Sequence, residues 1–161
     1  RVLFRSRKFW IHRELFYQPV WLILKENKNC LKGVFRMKKF YRCDHCGIIV
    51  GIVEEGGGTL VCCGEPMRAL EANTTDAAQE KHVPVVEVNG NTVTVCVGSV
   101  LHPMLEEHHI AWIALETNQG MQRKELLHTG EPKAVFALAE GEKAVAAYEY
   151  CNLHGLWKKE L

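Results

Sequence analysis

The chain has 161 residues, 47% of them hydrophobic and 24% charged, with a formal net charge of +1. That is room for one ordinary domain, or for one moderate domain plus a metal-held miniature, and it excludes long disorder, collagen-like sequence and a coiled coil. No apolar run approaches the ~18 residues a membrane-spanning helix requires, and so small a net charge offers no general attraction to nucleic acid.

The charge is unevenly spread. Residues 1–36 hold nine Lys/Arg against two Asp/Glu, a net of +7, and the other 125 residues carry −6. The first stretch is rich in aromatics but follows neither a helical nor a strand period. Arg13, Glu14 and Gln18 interrupt any signal-peptide core, and no small-residue cleavage site follows. We expect residues 1–36 to be upstream or artefactual sequence and Met37 to be the natural start; the alternative is a basic extension that touches a membrane surface or a partner.

From Met37 the chain reads as two units. Residues 37–72 are Gly-punctuated, with short extended runs at Phe40–Arg42, Gly47–Glu55 and Thr59–Val61, and the glycine run Gly56–Gly58 suggests a hairpin between the last two. About 35 residues cannot bury enough apolar surface to fold unaided, so a metal or covalent staple is expected. Residues 73–81 are a polar connection with one helical turn opened by Asp76. Beyond it, Val83–Val88 and Thr92–Val97 flank a hairpin signal at Asn89-Gly90-Asn91, and Val93, Val95 and Val97 share one face. The runs His109–Thr117, Met121–Leu127, Lys133–Leu138, Lys143–Cys151 and Leu156–Glu160 bring the count to seven short strands. That spacing predicts an antiparallel β-sandwich over residues 73–161.

Seven cysteines is an odd number, and their spacing is not that of a disulfide framework. Cys43, Cys46, Cys62 and Cys63 crowd into 21 residues, the pattern of thiolate metal ligation in a reducing compartment, hence the cytoplasm. Cys43-x-x-Cys46 can grip one tetrahedral ion together with Cys62-Cys63, and Gly47 and Gly64 let backbone amides turn toward sulfur. A zinc ribbon is the plain reading of that count. The adjacent pair Cys62-Cys63 argues against it, because ribbons normally repeat CxxC at both knuckles. A second constellation lies in the β unit: His82, His102, His108, then Cys151-x-x-His154. Four imidazoles and a thiolate are too many for tetrahedral zinc and suit iron or copper. Copper ranks lower because no Met follows His154 as an axial ligand. Cys96, in a strand, is most simply a small buried hydrophobe, and Cys30 has no assigned role.

These stretches together resemble the desulfoferrodoxin family of two-iron superoxide reductases. The matching segments are Tyr41–Gly47, Gly56–Met67, Glu80–Pro84, Gly98–Met104 and Tyr150–Trp157, in family order, over about 125 residues from Met37 onward. Residues 1–36 have no counterpart in the family. The resemblance implies a mainly β protein in which a desulforedoxin-like Fe(Cys)4 module precedes an immunoglobulin-like seven-stranded antiparallel β-sandwich. It places one iron on Cys43, Cys46, Cys62 and Cys63. It places the catalytic iron on His82, His102, His108 and His154 in a rough plane, with Cys151 axial. Position 109, usually aromatic in the family, is His here; the six-residue step from His102 favours His108 over His109 as the ligand. The implied reaction is one-electron reduction of superoxide to hydrogen peroxide, followed by re-reduction by a small donor such as rubredoxin, in a homodimer. Lys81 is the candidate for steering and stabilising the anion, and Glu80 for closing the open coordination position. Two alternatives are carried: an electron-transfer iron protein without that activity, and a zinc-ribbon binding module fused to a β-sandwich.

Overall fold

The structure, a computed structural model, describes residues 40–54 and 56–161; the expectations for residues 1–36, Met37 and Cys30 lie outside the described residues. It is mainly β. Five short strands come first: β1 (Phe40–Arg42), β2 (Ile49–Gly51), β3 (Val61–Cys62), β4 (Glu65–Pro66) and β5 (Arg68–Ala69). A four-residue helix, α1 (Gln79–His82), leads into seven longer strands: β6 (Pro84–Asn89), β7 (Thr92–Val97), β8 (Ile110–Thr117), β9 (Gly120–Glu125), β10 (Lys133–Ala137), β11 (Ala144–Cys151) and β12 (Gly155–Glu160).

The seven longer strands form the expected antiparallel sandwich, one sheet ordered β10-β7-β6 and the other β12-β11-β8-β9. Alternation sets the packing. Val93, Val95 and Val97 of β7 are fully buried and meet Ile113, Leu115, Ala147 and Cys151 of the other sheet, with Phe136 from β10 filling between them. The β6–β7 hairpin turns through Gly90-Asn91, with Gly90 at φ 60, a conformation that glycine adopts without steric cost. Cys96 lies on the opposite face of β7 from the valines and is half-buried, not the buried hydrophobe expected.

Strand β8 is buried on both faces because the four-stranded sheet is covered twice. Its outer face carries Trp112, Ala114, Ala146, Tyr148, Tyr150 and Leu156, and Phe40 and Leu70 pack onto it. The Phe40 ring lies 4.9 Å from Trp112 and 5.9 Å from Tyr148. The Cys-rich segment thus borrows the sandwich for the apolar burial it cannot supply itself.

Within that segment the expected hairpin across Gly56–Gly58 is corrected. Strand β2 pairs with β1, which also pairs β5, while β3 pairs with β4. Each cysteine pair makes its own tight turn: the Cys43 N–H donates to the Ile48 carbonyl (2.9 Å) and the Gly47 N–H to the Cys43 carbonyl (3.0 Å), folding β2 back on β1. Cys63 (φ 52) and Gly64 (φ 85) do the same between β3 and β4, leaving the glycine run as a plain connection. The helical turn begins at Gln79 rather than Asp76, and its N-cap, Ala78, makes no side-chain cap bond.

Phe40→Ala should lower stability by about 3 kcal/mol, the usual cost of deleting a buried aromatic ring. A drop in the urea midpoint at unchanged slope checks this; an unchanged midpoint would show that β1 is not held by that contact.

Candidate metal centres

Four sulfurs meet at the first cluster. The Sγ atoms of Cys43, Cys46, Cys62 and Cys63 all lie within 4.8 Å of one another. Cys46 Sγ is 3.7 Å from Cys62 Sγ, which is 3.9 Å from Cys63 Sγ. A tetrahedral ion with metal–sulfur bonds of about 2.3 Å has sulfur–sulfur edges of about 3.8 Å, so the donor set fits such an ion. Splaying two adjacent cysteines onto one ion requires the left-handed backbone at Cys63, a sparsely populated conformation for a side-chain-bearing residue. Arg68 anchors the first turn from β5, its Nε and Nη2 donating to both oxygens of Asp44 at 3.0 and 2.9 Å. The thiols do not ionise alike. Backbone N–H groups, that of Cys46 foremost, bring Cys43 down to about 7, while its sulfur neighbours push Cys62 up to about 12. Four thiolates this close need a cation among them.

The second cluster assembles at one end of the sandwich. His82 closes α1, His102 and His108 lie in the β7–β8 connection, Cys151 ends β11, and His154 sits in the β11–β12 turn. The rings form a pinwheel. Neighbouring centroids are 4.8 Å (His82–His102), 4.5 Å (His102–His108), 4.9 Å (His108–His154) and 4.6 Å (His154–His82), each ring steeply inclined to the next. The His82–His108 diagonal is 6.4 Å, as a near-square of that side requires. Cys151 Sγ is 3.6 Å from His102 Nε2 and 3.5 Å from His154 Nδ1, two opposite corners, so the sulfur lies on the axis of the square.

Hydrogen bonds set which nitrogen faces inward. His82 Nδ1 donates to the Ala78 carbonyl (2.8 Å) and His102 Nδ1 to the Pro103 carbonyl (2.6 Å), leaving each Nε2 for the centre. His154 turns Nδ1 inward, 2.9 Å from His82 Nε2. His108 Nε2 is sealed from solvent with no hydrogen-bond partner among the described residues. An orphaned imidazole nitrogen facing others of its kind is what a ligand atom looks like. The donor set therefore fits one cation with four equatorial nitrogens and one axial sulfur. Burial holds the imidazoles in the neutral form that ligation needs: His102 falls to about 4, and His82 and His108 shift down for the same leading reason. Burial also pushes the Cys151 thiol up, so a bound cation must draw out its proton.

Supporting residues escaped the sequence reading. A Cβ on Gly98 (φ +82) would lie 2.4 Å from the Val100 carbonyl oxygen, 2.7 Å from that of Lys81 and 2.8 Å from that of Glu80. Glycine there lets the His102 connection sit flush on α1, where the Val100 N–H donates to the Glu80 carbonyl (3.0 Å). Asn152 joins the other two ligand segments: its Oδ1 accepts from the His109 N–H and its Nδ2 donates to the Glu107 carbonyl, both 2.9 Å. Trp157 stacks on His82 at 4.9 Å. Glu149 is fully buried two residues before Cys151 and opposite Trp157, and desolvation raises its carboxyl well above the ordinary range, keeping it neutral. Only the local pattern Cys-Asn-x-His hinted at any of these.

Glu80 and Lys81 are exposed on α1, and the Lys81 charge is felt at both His82 and His108. His109 is turned away from the square: its Nδ1 is 3.0 Å from the Leu105 carbonyl, and its ring is 5.9 Å from that of exposed His128.

Comparison with known proteins gives a consistent picture. Residues 74–160 match the family profile described as desulfoferrodoxin, and residues 36–70 match that of the desulfoferrodoxin N-terminal domain. The chain is 51% identical over 123 residues to a desulfoferrodoxin of Nitratidesulfovibrio vulgaris, covering 76% of this chain and 95% of that protein. It is 51% identical over 118 residues to a desulfoferrodoxin homolog of Archaeoglobus fulgidus, covering 73% and 93%. The crystal structure of the superoxide reductase from Treponema pallidum superposes with a TM-score of 0.65 at 45% identity, covering 76% of this chain and 98% of that one.

The buried histidines make the metal-free protein acid-sensitive. The unfolded chain binds a proton at His102 near the ordinary 6.5, whereas the fold resists until about 4. Stability is therefore complete above pH 6.5 and declines as pH drops toward 4. Urea midpoints of chelator-treated protein across that range should decline, and His102→Gln should flatten the decline; an unchanged profile would contradict the assignment.

Proposed function

We propose that this chain, which belongs to the desulfoferrodoxin family, is a superoxide reductase, converting superoxide to hydrogen peroxide with one electron and two protons. The observation that carries this reading is the square of four imidazoles with one sulfur on its axis. Iron bound there supplies the electron, and a second iron occupies the four-cysteine cluster of the 37–72 module. The catalytic centre belongs to the 73–161 domain.

The protein's own residues prepare the reaction. Cys151, an anionic sulfur once its proton is displaced, releases electron density toward the centre and favours outward transfer to the substrate. It is fully buried, so the anion approaches from the face opposite the sulfur. Residues 37–161 carry −6, which repels superoxide at long range, so a local cation matters. Lys81 provides it, close enough to His82 and His108 to act on their charge. It draws the anion to the square and orders water for proton delivery. Glu80, its exposed neighbour on α1, would offer a carboxylate to the bound iron. Each turnover consumes an electron, restored in our reading by a rubredoxin-like donor. We further propose that the protein works as a homodimer in the cytoplasm, where its crowded thiols stay reduced.

With an external reductant, the protein should yield one hydrogen peroxide per superoxide consumed; one per two superoxides would mean dismutation and overturn the reading. Lys81→Ala should slow superoxide capture by about tenfold, more at low salt than at high. An unchanged rate in pulse-generated superoxide would remove Lys81 from the mechanism.

A further inference from the structure

A cleft of about 510 Å³ borders His154, one corner of the imidazole square, and is lined by residues of β1, β5, β11 and the β11–β12 turn. We propose that it is a binding site for a small oxyanion, a free phosphate-like or carboxylate group, held by Arg42 and Arg68 and touching the outer edge of His154.

The first ground is a pair of guanidiniums that share one close carboxylate, Asp44, which is hydrogen-bonded to Arg68 and also feels Arg42. Arg42 and Arg68 are direct register partners on β1 and β5, and like charges directly opposite one another across a strand pair are destabilising. Asp44 neutralises Arg68 through two hydrogen bonds. Arg42 Nε is sealed from solvent and has no acceptor among the described residues, so only the terminal nitrogens of that guanidinium can meet a ligand in the cleft. Both arginines nevertheless line the cleft, and paired guanidiniums present the fork that suits an oxyanion. Glu71 also lines the wall, and its carboxylate is engaged in an interaction of its own.

The second ground is His154. Its Nδ1 is committed to the square, so a neutral ring coordinating through that atom carries its proton on Nε2, on the far edge. His154 lines the cleft, and that Nε2–H has no acceptor among the described residues. Metal-ligating histidines almost always give their second N–H to a carboxylate, carbonyl or water, which orients the ring and raises its basicity. An oxyanion bridging the arginines and this N–H satisfies both requirements at once. Thr74 and Thr75 complete a polar wall, and the volume leaves room for water around the ion.

The ligand is thus an effector, not a substrate: by accepting the His154 N–H it alters the donor strength of one equatorial ligand. The site does not depend on superoxide reductase activity and is tested separately from it. Inorganic phosphate, titrated into the metal-loaded protein against chloride at matched ionic strength, should release or absorb heat with a saturable isotherm and raise the melting temperature. It should also shift the visible absorption of the histidine–cysteine centre. Arg42→Gln should weaken phosphate binding by about tenfold or more, the loss of a charge-assisted contact. The variant's own melting temperature should not fall, because the opposition to Arg68 is relieved, and Arg42→Lys should bind with intermediate affinity. No saturable binding by the wild type, or equal binding by Arg42→Gln, would overturn the proposal; the latter would mark an adventitious ion only.

Discussion

Five ligand atoms that lie within 4.8 Å of one another can share so small and dry a space only if they are neutral or surround a cation. That constraint governs this end of the molecule. Imidazoles stripped of water resist protonation, and a buried thiol resists losing its proton, so the five side chains by themselves are poised against charge of either sign. A divalent ion reverses both preferences by taking the nitrogen lone pairs and expelling the thiol proton. The arrangement costs stability in acid and returns it as affinity for metal.

The sandwich makes this possible by bringing separate segments together at one end. Gly98 locks the His102 connection onto the short helix that ends in His82, and Asn152 clips the His108 loop to the turn that carries His154. Cys151 needs no such device, since β11 runs through the core and delivers the sulfur from below. The Cys-rich segment follows the opposite strategy. It has almost no core, rests Phe40 and Leu70 on the outer sheet face, and depends on its own cluster for internal order. One centre is therefore imposed by the fold, while the other imposes the fold around it.

Much of this was legible beforehand, for identifiable reasons. The alternation of Val93, Val95 and Val97 and the turn at Gly90 report directly on β geometry, because a strand's period and a glycine's left-handed backbone are local properties. The two candidate clusters could be named because Cys43-x-x-Cys46 with Cys62-Cys63 and Cys151-x-x-His154 have chemically restrictive spacing, while the full set, His108 rather than His109 included, came from the family resemblance. The strand pairing around Gly56–Gly58 was misread, since in strands two or three residues long the cysteine turns outweigh a glycine signal. Asp76 looked like a helix start because capping is a local preference; the short helix is held instead by its contact with Gly98. Neither that contact, the Asn152 clip nor the burial of Glu149 is visible without tertiary structure, because each depends on a neighbour distant in sequence.

In our reading Cys151 and the four histidines hold one redox-active iron, separate from the ion held by four cysteines. The most direct measurement is metal content with visible spectra, reduced and air-oxidised, for the wild type and for Cys151→Ala. The wild type should hold two irons per chain and show a long-wavelength sulfur-to-iron band on oxidation; the variant should lose that band and keep the four-cysteine spectrum. A band that survives in Cys151→Ala, or protein that holds only zinc, would contradict it.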